Sequence, residues 1–232
     1  MRIAIVSPLK KERILRVAKK FGFEISDKKP ELVVCYGGDG TILYAERVFP
    51  GILKLVIKKP TSVCKKCEYK LSELNKVLRE VSKRNYEIVE EVKLEARVKG
   101  KKLFALNEIQ LHNKNPARAI KFSVYAEGRK FENLLGDGVI VSTPYGSTAY
   151  YSSTGGKPFK KGIGISFNNL HRKKIKSFVI PENSSVRIKV LRGPALVLAD
   201  NYEKFVEILK GRVEIKKAKE KARFVKINLN KK

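Results

Sequence analysis

Three short segments of this 232-residue chain combine residue types that do chemistry. The first is Gly37-Gly38-Asp39-Gly40-Thr41, set between the apolar run 31–36 and a stretch of helical character. Glycines let a backbone approach an anion and turn its N–H groups inward. A helix amino terminus adds partial positive charge. Gly37, Gly38, Gly40 and Thr41 are therefore candidate phosphate ligands. Asp39 is the informative residue, because a carboxylate repels phosphate and a loop that only held phosphate would omit it. Beside a phosphate it serves as a general base or a metal partner. Taken alone, the loop supports a plainer reading equally well: Asp39 caps a helix and the glycines mark a tight turn. No G-x-x-x-x-G-K-S/T pattern is present, so this is not a Walker A loop.

The second segment runs from Gly136-Asp137-Gly138 through Val139-Ile140-Val141 to Ser142-Thr143-Pro144-Tyr145-Gly146-Ser147-Thr148-Ala149-Tyr150. An apolar strand is bracketed by Asp-Gly and by a hydroxyl-rich turn. Small hydroxyl residues let a ribose or a flat ring come close while offering donors and acceptors, and Tyr150 offers a stacking face. Ser147 is the expected N-cap of a short helix. The alternative is an ordinary strand–turn–helix with generous capping. The third segment is Asn107-Glu108, an amide and a carboxylate inside the apolar run 103–111. Neighbours on a strand point to opposite faces, so both serve one site only at a bulge or strand end. Otherwise Glu108 faces solvent.

The elements that must position these residues follow from periodicity. Residues 2–7 read as a strand. Pro8 opens a helix with an apolar face of Ile14, Leu15, Val17, Ala18 and Phe21, and Gly22 stops it. A short strand at 23–26 precedes the strand at 31–36, whose nearly unbroken apolar content suits a parallel strand buried on both faces. A helix at 41–49, a strand at 52–57 and an amphipathic helix at 70–84 complete an open parallel α/β unit. Near residue 86 the rhythm changes to strands and turns, with hairpin turns at 98–102 and 126–130 and another turn at 181–184. The expected organisation is an N-terminal α/β domain, 1–86, and a mainly β domain, 87–205. A C-terminal segment, 206–232, packs back on the first domain, with only 228–232 frayed.

Composition narrows the function classes. The 43% hydrophobic content supports a core, and no run of about 18 apolar residues suggests a membrane span. The amino terminus is strand-like rather than a signal peptide, so a cytoplasmic protein is expected. Fifty-one Lys+Arg against 23 Asp+Glu give a net charge of +28, which favours polyanionic partners. Trp is absent and the basic residues do not interleave with aromatics, so nucleic acid is disfavoured as principal partner. A lysine-rich thermophile surface accounts for the charge as well. Cys35, Cys64 and Cys67 are too few for a disulfide framework, although a local Cys64–Cys67 disulfide is open to a hyperthermophile. Zinc needs four ligands, and His112 and His171 are the only histidines, so no metal-ligand set is assigned.

In order and spacing, Gly37-Gly38-Asp39-Gly40-Thr41, Asn107-Glu108 and the 137–150 segment resemble the NAD kinase family. The glycine loop is shared with diacylglycerol and sphingosine kinases, which lack the S-T-P-x-G-S-T-A-Y segment. The resemblance spans about residues 31–205. Compact length and heavy lysine content resemble an archaeal, thermophilic member. It implies a Rossmann-like α/β domain followed by a β-sandwich, with the site between them. It further implies phosphoryl transfer from ATP or inorganic polyphosphate to the 2′-hydroxyl of the adenosine ribose of NAD, giving NADP. Asp39 would be the base, with Gly40 beside it. Asn107 and Glu108 would hold the adenosine part. Asp137, Thr148, Ala149, Tyr150 and Ser153 would line the rest of the pocket. A divalent metal, usually Mg²⁺, and a homodimer or homotetramer are implied as well.

Three departures stand against the family pattern. The stretch Leu55-Val56-Ile57-Lys58-Lys59-Pro60-Thr61-Ser62 replaces a glycine-rich segment, implying an altered site wall. Tyr145 replaces a small residue, where a phenol could stack on a base or narrow the pocket. Asp200-Asn201 replaces Asp-Gly, with Asn201 taking the left-handed backbone. Two other functions compete: a related kinase acting on another adenosine-type or lipid hydroxyl, and a non-catalytic basic nucleotide- or RNA-binding protein on this fold. Intact Asp39, Asn107, Glu108 and Asp137 disfavour the latter.

Overall fold

The computed structural model describes residues 1–60, 64 and 67–229. They form two compact units, Val92–Glu220 and a unit made of Met1–Glu91 with the segment from Lys221 onward. The expected boundary at 86/87 moves to 91/92, because strand 87–91 pairs with the chain's last strand in the first unit.

The first unit runs β1 (Arg2–Val6), α1 (Glu12–Lys20), β2 (Glu24–Ile25), β3 (Leu32–Gly37), α2 (Asp39–Val48), β4 (Leu53–Lys58), β5 (Tyr69–Lys70), α3 (Leu74–Ser82) and β6 (Glu87–Glu91). The final strand, β19 (Ala222–Lys226), returns to it. Strand order is β2-β1-β3-β4-β19-β6, with β5 on β4. Every pairing is parallel except β19 with β6. β3 is buried along its whole length, which is why its sequence is apolar without alternation. One sheet face, with Ile3, Leu32, Val34, Leu55 and Ile57, packs on Ile14 and Val17 of α1 and Leu74, Val77 and Val81 of α3. Leu229 packs against this core, so the fraying expected from 228 does not include it; Asn230, Lys231 and Lys232 lie outside the described residues. The first helix starts at Glu12 rather than Pro8, with Lys11 as its N-cap. A 3₁₀ turn, Leu71–Glu73, precedes α3.

On the other side of the sheet, Lys54 of β4 is fully buried and ion-pairs with Glu46 of α2. Its ammonium also donates to the carbonyls of Phe49 (3.2 Å) and Ile52 (2.7 Å). A buried charge survives only when paired and hydrogen-bonded, and both conditions hold here. The pair ties the end of α2 to the sheet and so fixes the helix whose amino end carries Asp39.

The second unit is two antiparallel six-stranded sheets. Its elements are β7 (Leu94–Val98), β8 (Lys101–Ala105), β9 (Glu108–Asn113), β10 (Ile120–Ala126), β11 (Arg129–Gly136), β12 (Gly138–Ser142), α4 (Tyr150–Ser153), β13 (Ile163–Asn168), β14 (Phe178–Ile180), β15 (Ser185–Arg192), β16 (Ala195–Ala199), β17 (Val206–Ile208) and β18 (Gly211–Lys217). One sheet is ordered β11-β10-β15-β18-β7-β8 and the other β14-β13-β12-β9-β16-β17. Val186, Ile188 and Val190 alternate with exposed residues along β15 and meet Ile109, Val139, Val141 and Ile165 of the other sheet in one core. This is a β-sandwich. β17 and β18 belong to it, so of the expected segment 206–232 only the last part joins the first unit. The turns at Lys99-Gly100 and Glu127-Gly128 have positive φ at both residues, the geometry that two-residue hairpins favour. Among the described residues no helix is long and apolar enough to cross a membrane.

Replacing Lys54 with Met leaves the Glu46 carboxylate buried without its cation, and we expect a loss of roughly 3–5 kcal/mol in urea unfolding. A Lys54→Met/Glu46→Leu double variant should recover most of that loss. A double variant as unstable as the single one would show that packing, not charge, sets the cost.

Candidate functional site

The turn after β3 is forced by sterics. A Cβ on Gly37 would lie 2.1 Å from Thr41 Oγ1, so only glycine allows α2 to begin this close to the strand. Gly38 is the N-cap in extended conformation, and Asp39 is the first helical residue. No side-chain cap hydrogen bond is made, so the capping role weighed for Asp39 does not occur. The carboxylate is available for other work. Leading N–H groups of a helix lack intrahelical partners and, with the helix dipole, suit an anion.

This amino end opens on a cavity of about 880 Å³. Its walls include Ser7 and Lys11 after β1, Gly38, Gly40 and Thr41 after β3, and Tyr44 of α2. β1 and β3 are adjacent, while the chain leaves β1 toward β2 and leaves β3 toward β4 on the opposite side. The cavity thus sits at the carboxyl ends of strands where the winding reverses, the usual ligand position of an open α/β sheet. Lys59 lines it as well, so the departing stretch after β4 contributes a cation to the wall. Thr61 and Ser62 of that stretch lie outside the described residues.

In the sandwich, Asn107 lies between β8 and β9 and Glu108 is the first residue of β9. This is the strand end that lets neighbouring side chains escape strict alternation. The hydroxyl-rich segment is laced to it. Thr143 N donates to Asn107 O (2.8 Å), Thr143 Oγ1 to Leu106 O (2.6 Å) and Ser142 Oγ to Asn107 O (3.3 Å). A Cβ on Gly146 would fall 2.3 Å from Asn107 O, so glycine is required there too. Motifs far apart in sequence are one hydrogen-bonded unit.

Asp200 completes it. Its carboxylate accepts the backbone N–H groups of Leu106 (2.9 Å), Asn107 (2.7 Å) and Glu108 (3.2 Å), and its own N–H donates to Glu108 O (2.9 Å). Asp200 itself takes the left-handed backbone, φ 52°, which corrects the expectation that Asn201 would do so. Aspartate enters that region by local hydrogen bonding, and here the bonds are longer-range. Nothing in the local Asp200-Asn201 sequence signals this clamp, because its partners lie more than 90 positions away.

Glu108 is 2% exposed, accepts from Gln110 Nε2 at 3.3 Å and leaves Oε2 without a hydrogen-bond partner among the described residues. Burial, then the charge of Asp200, pushes its carboxyl up to about 8, against the Gln110 hydrogen bond. At neutral pH Glu108 is therefore a proton-bearing donor, able to serve a ligand oxygen or ring nitrogen.

Other expected residues separate. Tyr150 is 58% exposed while Tyr151 is 1% exposed and edge-on to Phe159. Only the first is accessible to a ligand, together with half-buried Thr148 and Ala149 and exposed Ser153. Ser147 is no N-cap: it lies in a 3₁₀ turn, Tyr145–Thr148, and its hydroxyl donates to Pro144 O (2.8 Å). Tyr145 is buried, so its ring is packed inside the protein rather than presented for stacking. Asp137 stands at the opposite end of β12 from Ser142, roughly 16 Å away at ~3.3 Å per residue. Its carboxylate receives Asn113 Nδ2 (3.2 Å) and Asn169 Nδ2 (2.9 Å). The structure does not bring it to Asn107 and Glu108. Cys64 and Cys67 form a disulfide, the local pairing that the sequence left open.

The chain thus combines an α/β unit whose glycine turn carries Asp39 with a β-sandwich whose hydroxyl-rich segment is hydrogen-bonded to Leu106 and Asn107, a two-part α/β and β-sandwich class of protein. Comparison with known proteins narrows this class. Residues 106–227 match the model of the ATP-NAD kinase C-terminal domain. The chain is 30% identical to an NAD kinase of Thermoplasma volcanium over 88% of this chain and 76% of that one. It is also 30% identical to NAD kinase 1 of Halalkalibacterium halodurans over 95% and 89%. The crystal structure of an NAD kinase from Archaeoglobus fulgidus in complex with ATP superposes with a TM-score of 0.85 at 24% identity, covering 97% of this chain and 94% of that one. The chain belongs to the NAD kinase family and is an enzyme of it.

Because folded Glu108 holds a proton between its ordinary carboxyl value of 4.5 and about 8, the folded state binds more protons than the unfolded state in that window. Stability contributed by the neutral acid is present at low pH and is lost as pH rises toward 8. We expect urea unfolding of Glu108→Gln to lack this decline, with wild type losing a few kcal/mol at most relative to it between pH 5 and 8.5. Parallel pH profiles would contradict the assigned protonation.

Proposed function

We propose that this chain transfers the terminal phosphoryl group of ATP to the 2′-hydroxyl of the adenosine ribose of NAD, forming NADP. The observation that carries this reading is the uncapped Asp39 carboxylate between Gly38 and Gly40, two glycines that line the cavity at the amino end of α2. A ribose hydroxyl is a poor nucleophile, and a carboxylate that takes its proton as the new P–O bond forms supplies general base catalysis. The N–H groups of the α2 amino end, with Lys11 and Lys59, stabilise charge on the donor phosphates. Asn107 and Glu108 hold the adenosine part, and Thr148, Ala149, Tyr150 and Ser153 offer accessible surface for the remainder. Asp137 enters only as a contact for the far end of the dinucleotide.

The donor assignment rests on the cavity wall. Ile5, Tyr44, Val48 and Phe49 line it beside the phosphate turn. A base and ribose need such an apolar wall, whereas inorganic polyphosphate needs only cations. The competing donor is favoured by the net charge of +28. The Mg²⁺ that the family implies would be a companion of the donor phosphates, since Mg²⁺ is commonly held by one or two carboxylates plus phosphates and the cavity wall carries Asp27. When bound it would neutralise charge on the transferring group, and Asp27, which lines the cavity, and Asp39, at the amino end of α2, are the carboxylates that would face it. Homo-oligomerisation and a cytoplasmic location belong to the same reading.

One heated assay tests it: NAD, Mg²⁺ and either ATP or polyphosphate, with NADP read by an NADP-specific dehydrogenase. We expect turnover with ATP. Product with polyphosphate alone would overturn the donor, and no product with either would overturn the reading. Asp39→Asn should bind NAD as wild type does and lose roughly 10²-fold or more in kcat; unchanged turnover would remove Asp39 as base. Tyr44→Ala should raise KM for ATP while leaving KM for NAD unchanged, and a change confined to NAD would misplace the donor.

A further inference from the structure

The cysteine pair is not used by the reaction, yet both sulfurs rest on the catalytic turn. Cys64 and Cys67 are joined as a disulfide. Cys64 Sγ lies 3.0 Å from Asp39 Oδ1, and Cys67 Sγ lies 3.8 Å from Gly37 O. A disulfide sulfur carries no proton, so in this state Cys64 cannot donate to the carboxylate beside it. Its reduction would place an S–H donor at hydrogen-bonding distance from the atom that has to accept the ribose proton.

We propose that Cys64–Cys67 is a reversible thiol–disulfide site that controls Asp39, leaving the base free when oxidised and occupying it when reduced by a small dithiol. The proposal rests on the reading of Asp39 as general base. A hydrogen bond donated to a carboxylate stabilises the anion and weakens it as a base. Were the Cys64 thiol to ionise instead, its charge would repel the incoming phosphates, so either protonation state slows transfer. Reduction is a balanced exchange. A thiolate of the dithiol attacks the sulfur of Cys67, the less buried of the two residues. The Cys64–Cys67 bond breaks as a mixed disulfide forms. The second thiol of the reagent then displaces Cys67 and closes its own disulfide. Two electrons and two protons have passed to Cys64 and Cys67. An excess of a disulfide oxidant runs the exchange backward. Cys35 does not interfere, being fully buried with its thiol pushed up to about 12 by that burial.

The test compares the full-length protein with the pair oxidised and after dithiothreitol treatment, with reagent removed and native accessible thiols counted. Accessible thiols should rise by the two of this pair, kcat for NADP formation should fall about tenfold, and oxidised dithiothreitol should restore both. A Cys64→Ala/Cys67→Ala variant, with neither crosslink nor donor, should stay active and ignore the reductant. A Cys64→Ser/Cys67→Ala variant keeps a hydroxyl donor and should be slow in both conditions. The proposal is overturned by wild-type kcat equal in both states, by a pair that dithiothreitol cannot reduce in the folded protein, or by an equal loss in the double alanine variant. Absence of NADP in every state would instead overturn the kinase reading itself, and this proposal with it.

Discussion

Gly37 has no room for a side chain. With Thr41 Oγ1 occupying the space where a Cβ would stand, strand β3 must end in glycine for helix α2 to start where it does. The helix start in turn decides that Gly38 caps and that Asp39 enters the first turn with its carboxylate unspent. Around this turn the unit is arranged to hold α2 still. The Lys54–Glu46 pair anchors the helix to β4, and the parallel sheet beneath is buried on both faces. Rigid elements behind and an open cavity in front are what a phosphoryl-transfer site needs, because positioning and charge stabilisation supply most of its catalysis.

The sandwich solves a different problem. It must hold an amide and a buried carboxyl side by side at the end of a buried strand. Strand-end backbone groups have lost their ladder partners, and Asp200 satisfies three of them with one carboxylate. The same charge helps keep Glu108 protonated. One residue therefore holds the segment in place and sets the hydrogen-bonding character of its neighbour. Gly146 and Thr143 press the hydroxyl-rich turn against the same backbone, so the shape of this segment rests on main-chain contacts as much as on side chains.

Much of the fold is legible in the sequence alone. The unbroken apolar run of β3, the helical spacing of Leu74, Val77, Leu78 and Val81, and the Lys99-Gly100 and Glu127-Gly128 turns announce their elements through neighbours in sequence. The errors lie where local pattern is silent. Lys11, not Pro8, borders the first helix; Ser147 bonds backward inside a 3₁₀ turn instead of capping forward; and β6 pairs with β19, which periodicity cannot reveal. Tyr150 and Tyr151 look alike in sequence, and only the pocket beside Gly156 and Gly164 makes one of them core.

By itself the sequence determined the two-part architecture, the glycine-aspartate turn and the family, because periodicity, glycine placement and motif order are properties of short stretches. Only the tertiary structure decided which residues share a site. It joined Asp200 to a segment 93 positions away, set Cys64 against Asp39, and left Asp137 at the far end of its strand. The reason is physical: a backbone conformation answers to its near neighbours, whereas a hydrogen bond or a close sulfur–carboxylate contact exists only once distant strands have paired in a particular register.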